Sequence, residues 1–308
     1  MENMTHRPVR IPTVLAATAA AVALVVSGCG SGTTDEQPAD QSAGDGTFPR
    51  TVGADVVIES RPTSIVSLSP TATETLFAVG AGEQVVAVDS QSDFPTDAPR
   101  TELSAYTPSL EAIIGYDPDL VVASDDIDGL VAGLDAAEVP VLLLPAATSI
   151  DDTYAQIETI ADATGHDAEG DAVVADMRTR IDAAVASVPQ SNATYFHELD
   201  SMLYTVTSES FIGRIYGLFG LTSIADGVGT DYPQMSDEGV VTADPDIVFL
   251  ADSQCCGVTA EAVAARPGWA STTAVRDGSI ITMDEDLSSR WGPRVADQVE
   301  AVATALSS

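Results

Sequence analysis

Residues 167–189 read DAEGDAVVADMRTRIDAAVASVP, and this stretch decides the fold. Val173, Met177, Ile181, Ala184, Val185 and Val188 recur at three- and four-residue steps, which lays one apolar stripe along an α-helix. Acidic residues crowd its first turn, where the helix dipole favours negative charge, and Pro189 marks its end. At 1.5 Å per residue such a helix spans roughly 34 Å. On either side lies a run of strand-like and helix-like segments long enough to be a domain. The pattern fits two α/β lobes joined by one long helix, with a cleft between them. It also fits an ordinary crossover helix inside one large domain.

Before the helix, strand-like segments at 64–68, 85–88, 120–123 and 141–144 alternate with helical ones at 71–79, 108–115, 130–137 and 150–164. After it come strand-like 194–199 and 203–206, read as a hairpin, and then a helix at 211–219. Strand 247–250, helix 259–265, strand 280–283 and a closing amphipathic helix at 293–306 complete the chain. Strands alternating with helices at this spacing predict βαβ units and mostly parallel sheets.

With 308 residues there is room for two domains and a sizeable core. The formal charge of −35 argues against nucleic acid or an anionic membrane surface as partner. All 12 basic residues are arginine, so each arginine of the folded part is a candidate for a specific role. Residues 1–28 read as an export signal: His6, Arg7 and Arg10 precede an apolar run at 11–26 that is short for a membrane span. The run closes on Val26, Ser27, Gly28 and Cys29, a lipobox-like end in which Cys29 is the lipidated mature N-terminus. Two acyl chains suffice for stable anchoring, whereas one is marginal. An ordinary signal peptide with an incidental cysteine is the alternative. Residues 30–49 hold no Val, Ile, Leu or Met and cannot offset the entropy of ordering, which predicts a flexible tether over 29–50. An N-terminal lobe over 51–165, the linking helix over 166–189 and a C-terminal lobe over 190–308 follow.

An internal repeat carries further information. SLEAIIGYDPDLV at 109–121 aligns without a gap on SDEGVVTADPDIV at 236–248. Each copy reads as a short helix, an Asp-Pro-Asp turn and a buried strand, used once per lobe. The repeat sets Glu111 and Glu238 at equivalent first-turn positions. Complementing the helix dipole explains both, at a few tenths of a kcal/mol each. A pseudo-symmetric pair of exposed carboxylates facing a two-fold partner explains them as well.

Ligands in open α/β sheets bind beyond the carboxyl ends of the strands. Here those loops hold residues 69–71, 91–94, 124–126 and 286–294. Arg290, Trp291 and Arg294 concentrate two rare cations beside a tryptophan, a surface suited to a large planar or anionic ligand. Arg294 fits equally well as a helix-start residue paired with Asp297 or Gln298. Cys255 and Cys256 are adjacent, and outside the cell such a pair either forms a vicinal disulfide at the cleft rim or stays reduced. No metal site or resident cofactor is expected, since His6 lies in the signal and His166 and His197 lack ligand spacing. An enzyme is disfavoured: there is no Gly-x-Ser-x-Gly, no phosphate-loop lysine and no Gly-x-Gly-x-x-Gly after a strand.

Several stretches together resemble the iron-chelate and vitamin B12 family of solute-binding proteins for ABC importers. They are IVSLSPTATETLFAVGAGEQVVAVD (65–89), SDFP (92–95), SLEAIIGYDPDLVV (109–122), YPQMSDEGVVTADPDIVFL (232–250), ARPGW (265–269) and SRWGPR (289–294). The resemblance covers residue 60 to the end. It implies two Rossmann-like lobes joined by a rigid helix, a monomer, and a permease dimer with its ATPase subunits as partner. By motif position, the glutamates that dock each lobe to permease arginines in the B12-binding member fall on Glu111 and Glu238. Its cleft contacts fall on Pro70, Thr71, Gln91, Ala105, Ser124, Tyr232, Asp286 and Arg290. Ala105 and Ser124 lack the aromatic surface found at several of these positions in the relative, although Tyr106 stands next door. That departure shifts the expected ligand from a corrinoid toward a ferric siderophore or related metal chelate.

Overall fold

Strands form where apolar, β-branched runs are too short for a helix and are bounded by turn residues. In Ile65–Leu68 all four side chains are buried, as a strand covered on both faces requires. The computed structural model describes residues 47–307 apart from Ala54. The export segment, Cys29 and nearly all of the tether lie outside the described residues.

A hairpin of β1 (Arg50–Val52) and β2 (Val56–Ile58) opens the described chain. The first lobe follows as β3 (Ile65–Leu68), α1 (Pro70–Ala78), β4 (Val85–Val88), α2 (Leu110–Ile114), β5 (Leu120–Ala123), α3 (Leu130–Asp135), β6 (Val141–Leu143) and α4 (Ile150–Thr164). Helix α5 (Asp167–Ala186) leads to the second lobe. That lobe contains β7 (Thr194–Glu198), α6 (Phe211–Gly217), β8 (Thr222–Ser223), α7 (Asp237–Ala243), β9 (Ile247–Leu250) and α8 (Ser253–Cys256). It ends with α9 (Ala260–Ala264), α10 (Thr273–Asp277), β10 (Ile280–Thr282), α11 (Glu285–Ser289) and α12 (Val295–Leu306).

The sheets run β4-β3-β5-β6 and β8-β7-β9-β10, with every neighbouring pair parallel. Counted within each lobe, both orders are second, first, third, fourth. The duplication seen in sequence therefore extends to the topology, and in its first-copy/second-copy detail to single groups. Ser109 and Ser236 cap α2 and α7 by accepting from the amides of Ala112 and Gly239. Asp117 and Asp244 both take left-handed backbone, at φ 51° and 50°. Asp119 accepts from the amides of Thr63 and Ser64 before β3, and Asp246 accepts from the amide of Thr194 at the start of β7.

Helix α5 packs on α4 of the first lobe and on α12 of the second. Its buried residues are Gly170, Val174, Met177, Ile181 and Ala184, while Val173 and Val185 from the expected stripe are only half-buried. The buried face is shifted because the helix touches two neighbours rather than one sheet. Gly170 permits the α4 crossing, since a Cβ there would stand 2.3 Å from the Ala161 Cβ. At the other end Arg180 donates to Glu300 and Asp297 of α12. One apolar cluster runs through Ile157, Met177, Ile181, Val299, Tyr195 and Phe249 and so joins both lobes.

The expected 194–199/203–206 hairpin does not form. Strand β7 already has β8 on one side and β9 on the other, so no edge is left for it. Leu199 N–H reaches the Tyr204 carbonyl, but residues 203–207 otherwise bond to 231–235, through Thr205 N–H to the Pro233 carbonyl and Thr207 N–H to that of Asp231. Among the described residues no helix is long and apolar enough to cross a membrane.

Candidate functional site: a cleft carried by both lobes

In a sheet ordered second, first, third, fourth, the crevice lies between the first and third strands, where crossovers leave in opposite directions. In the first lobe these are β3 and β5. Ser69 follows β3 and caps α1, and Ser124 follows β5 and donates to Ser69 Oγ at 2.7 Å, tying the two loops together. Above them lies a cavity of about 280 Å³. The first lobe contributes Pro70, Thr71, Gln91, Tyr106 and Ser124, together with Asp89, Ala105 and Asp125; the second lobe contributes Asp286, Ser289, Arg290 and Trp291. Tyr232 lines a second cavity of about 220 Å³ with Leu199, Phe211 and Ala147. Ser289 and Trp291 line both, so the two are consecutive parts of one cleft. Tyr106 is 74 % exposed and Tyr232 47 %, which leaves aromatic faces available at two places along it.

Arg290 stands within the first cavity, but its guanidinium is already engaged. It donates to Glu74 Oε1 at 2.7 Å, to Asp93 Oδ1 at 2.8 Å and to Asp286 Oδ1 at 2.7 Å. Arg294 shares Glu74 at 3.0 Å and stacks over Phe94 at 4.3 Å. The expected pairing of Arg294 with Asp297 is not seen, because Asp297 faces α5 and binds Arg180. Burial lifts the Glu74 carboxyl above its ordinary range against the opposing pull of the two arginines. Burial acts on Asp93 in the same direction, yet the hydrogen bond and charge of Arg290 outweigh it and hold Asp93 low. Trp291 is anchored through its indole N–H to Gln156 Oε1 at 3.2 Å.

Glu74 and Asp89 are absent from the sequence-based site, and Asp93 entered it only as part of the 91–94 loop. Asp89 had a signal: it is a carboxylate directly after the apolar β4, at a strand's carboxyl end. It is 1 % exposed, accepts from Ser92 Oγ at 2.7 Å through Oδ1, and is raised by burial. Glu74 lies inside a helix, where spacing alone marks it as an ordinary polar position.

Glu111 and Glu238 are exposed in the first turns of α2 and α7, and among the described residues neither carboxylate has a hydrogen-bond or ion-pair partner. The Cys255 and Cys256 sulfurs are bonded to each other on exposed α8. Glu285 of α11 accepts from the amides of Gln254 and Cys255, at 2.6 and 2.7 Å. These cysteines are not among the residues that line the two cavities. Beneath α8, Arg266 grips Glu198 with two bonds of 2.6 Å, and Asp252 beside them is pushed up to about 6 by burial and the Glu198 charge. Among the described residues no group of His, Cys, Asp and Glu is placed to hold a metal ion.

Residues 65–287 match the family described as periplasmic binding protein. An ABC transporter substrate-binding lipoprotein of Bacillus subtilis is 30% identical over 92% of this chain and 93% of its own length. A cobalamin-binding protein of Halobacterium salinarum is 32% identical over 84% of this chain and 73% of its own. A possible iron-binding (periplasmic solute-binding) protein of Staphylococcus epidermidis superposes with a TM-score of 0.72 at 25% identity, covering 81% of this chain and all of that one.

Proposed function

The chain belongs to the periplasmic binding protein family, and from that premise we propose that it is the extracytoplasmic substrate-binding lipoprotein of an ABC importer. It captures a ferric siderophore or related metal chelate and delivers it to the permease. The observation that carries this reading is the cleft itself, where loops from both lobes meet around Tyr106, Trp291 and Pro70. Binding energy for a bulky chelate comes from apolar and aromatic surface, and a few polar groups set its orientation. Such a site holds its ligand between two walls and performs no chemistry on it, so the protein is a binder and not an enzyme.

Cobalamin is the second reading. It is favoured by the cobalamin-binding relative and by the continuation of the cleft past Trp291 to Tyr232, which lengthens it enough for a wide macrocycle. Glu111 and Glu238 are the permease-docking pair, one on each copy of the repeated element, and Cys29 is the lipid attachment point. The adjacent Cys255 and Cys256 form a vicinal disulfide that closes the turn after β9.

Quenching of Trp291 fluorescence during titration with ferric siderophores, haem and cobalamin tests the assignment. Saturable binding of one class at submicromolar concentration is expected. Absence of binding to all of them overturns the reading.

A further inference from the structure

The cleft contains more negative charge than its arginines can match. Arg290 and Arg294 stand among Glu74, Asp93, Asp284 and Asp286, so two guanidiniums serve four carboxylates. Asp89 and Asp125 line the same cavity in addition, and among the described residues neither forms an ion pair. Asp89 is the informative one. It is 1 % exposed, its Oδ1 accepts from Ser92, and among the described residues Oδ2 has no partner. A buried carboxylate with an unfilled acceptor is costly to maintain unless something else completes it. Asp89 also lines the ligand cavity, so its charge lies close to whatever occupies it.

We propose that the cleft selects metal chelates of neutral or net positive charge and rejects anionic ones, with Asp89 and Asp125 setting that preference. The inference rests on the proposed chelate-binding function and narrows it. A cavity of this kind has low-dielectric walls, so an uncompensated charge at its floor is felt strongly by whatever enters. Arg290, read from sequence as an anion receptor, offers little free positive charge because three carboxylates already hold it. An anionic catecholate or carboxylate complex would have to displace one of them. A chelate bearing an ammonium meets the negative charge of Asp89 and Asp125 instead.

Three ferric probes of similar size test this: a linear trihydroxamate complex with a free primary ammonium, the same complex N-acetylated, and an anionic tricatecholate complex. Titration of the full-length protein should rank them in that order. The ammonium form should bind about tenfold more tightly than its acetylated partner, the scale of one charge-assisted contact. Asp89→Asn keeps the shape and should reduce that ratio toward one. Asp125→Asn, at an exposed position, should reduce it in part. Added salt should narrow the gap. Equal or tighter binding of the tricatecholate, or an unchanged ratio in both variants, overturns the charge preference while leaving chelate binding in place. If no chelate or corrinoid binds at all, the parent reading has failed, and this one with it.

Discussion

Arg290 of the second lobe and Glu74 of the first form a cross-lobe pair at 2.7 Å, their side chains only 10% and 1% exposed. The pair clamps the floor of the cleft. Breaking a buried pair is costly chiefly because the remaining charge is left uncompensated. Arg290→Ala leaves Glu74 with Arg294 alone, so the expected loss is about 2 kcal/mol. Replacing Arg290 and Arg294 together should cost about 3–5 kcal/mol, more than the two singles combined. Denaturant unfolding of the four proteins measures this, and strict additivity would show that the cluster does not act as a unit.

Gly170 is expected to resist even a methyl group. Alanine would gain up to about 1 kcal/mol in helix propensity. Against that, its Cβ would meet the Ala161 Cβ at 2.3 Å, and overpacking of this kind costs about 1–3 kcal/mol. Gly170→Ala should therefore lower Tm, and adding Ala161→Gly should recover much of the loss. A rise in Tm for the single variant would show that α4 and α5 can separate freely.

Asp252 makes stability depend on pH. Its folded pKa is raised to about 6 from an ordinary 3.8, so the folded state binds the proton more tightly. The stabilisation is fully present below about 3.8 and is lost as pH rises through about 6. Both of its carboxylate oxygens are buried and, among the described residues, without hydrogen-bond partners. Asp252→Asn should flatten the Tm–pH curve across this window and raise Tm near neutral pH by a few degrees. Parallel curves for the two proteins would place the titration elsewhere.

Glu111 and Glu238 should act outside the ligand cycle. Both are exposed, and among the described residues neither carboxylate has a hydrogen-bond or ion-pair partner. A permease dimer offers two like surfaces, and a pseudo-symmetric protein can meet both at once. Glu111→Ala with Glu238→Ala should abolish uptake in cells while leaving ligand affinity and Tm unchanged. Reversal of both to arginine should be worse, since like charges would then face each other. Normal transport by the double alanine variant would remove the docking role.

Cys29→Ala should move the protein from the membrane fraction to the soluble one after cell fractionation. Retention in the membrane would sink the lipid-anchor assignment.

Features written in contiguous residues were legible without coordinates. Alternating apolar and helical runs specify the first sheet and strands β7, β9 and β10 of the second, because each signals itself within a few residues, whereas the two-residue β8 is too short to do so. The Asp-Pro-Asp repeat specified the duplication, and it reappears as matching serine caps and matching left-handed aspartates. All nine expected ligand residues line the cleft: seven lie in loops beyond strand carboxyl ends, whereas Tyr106 and Tyr232 came from the family resemblance. The 203–206 segment misled, since its composition suits a strand but cannot reveal that β7 has no free edge.

Partner choice was not legible. With 47 acidic residues and 12 arginines, local sequence does not say which carboxylates an arginine will meet. Arg290 lies far along the chain from Glu74 and Asp93, and only the docking of the two lobes brings them together. Asp89 lines the cavity beside them and, among the described residues, forms no ion pair. The sequence by itself therefore determined the lobes, the linking helix and the place of the cleft, all of which follow from short-range patterns. The charge that the cleft presents was decided only by tertiary structure, because it depends on which ion pairs close across chain-distant surfaces and which group is left without one.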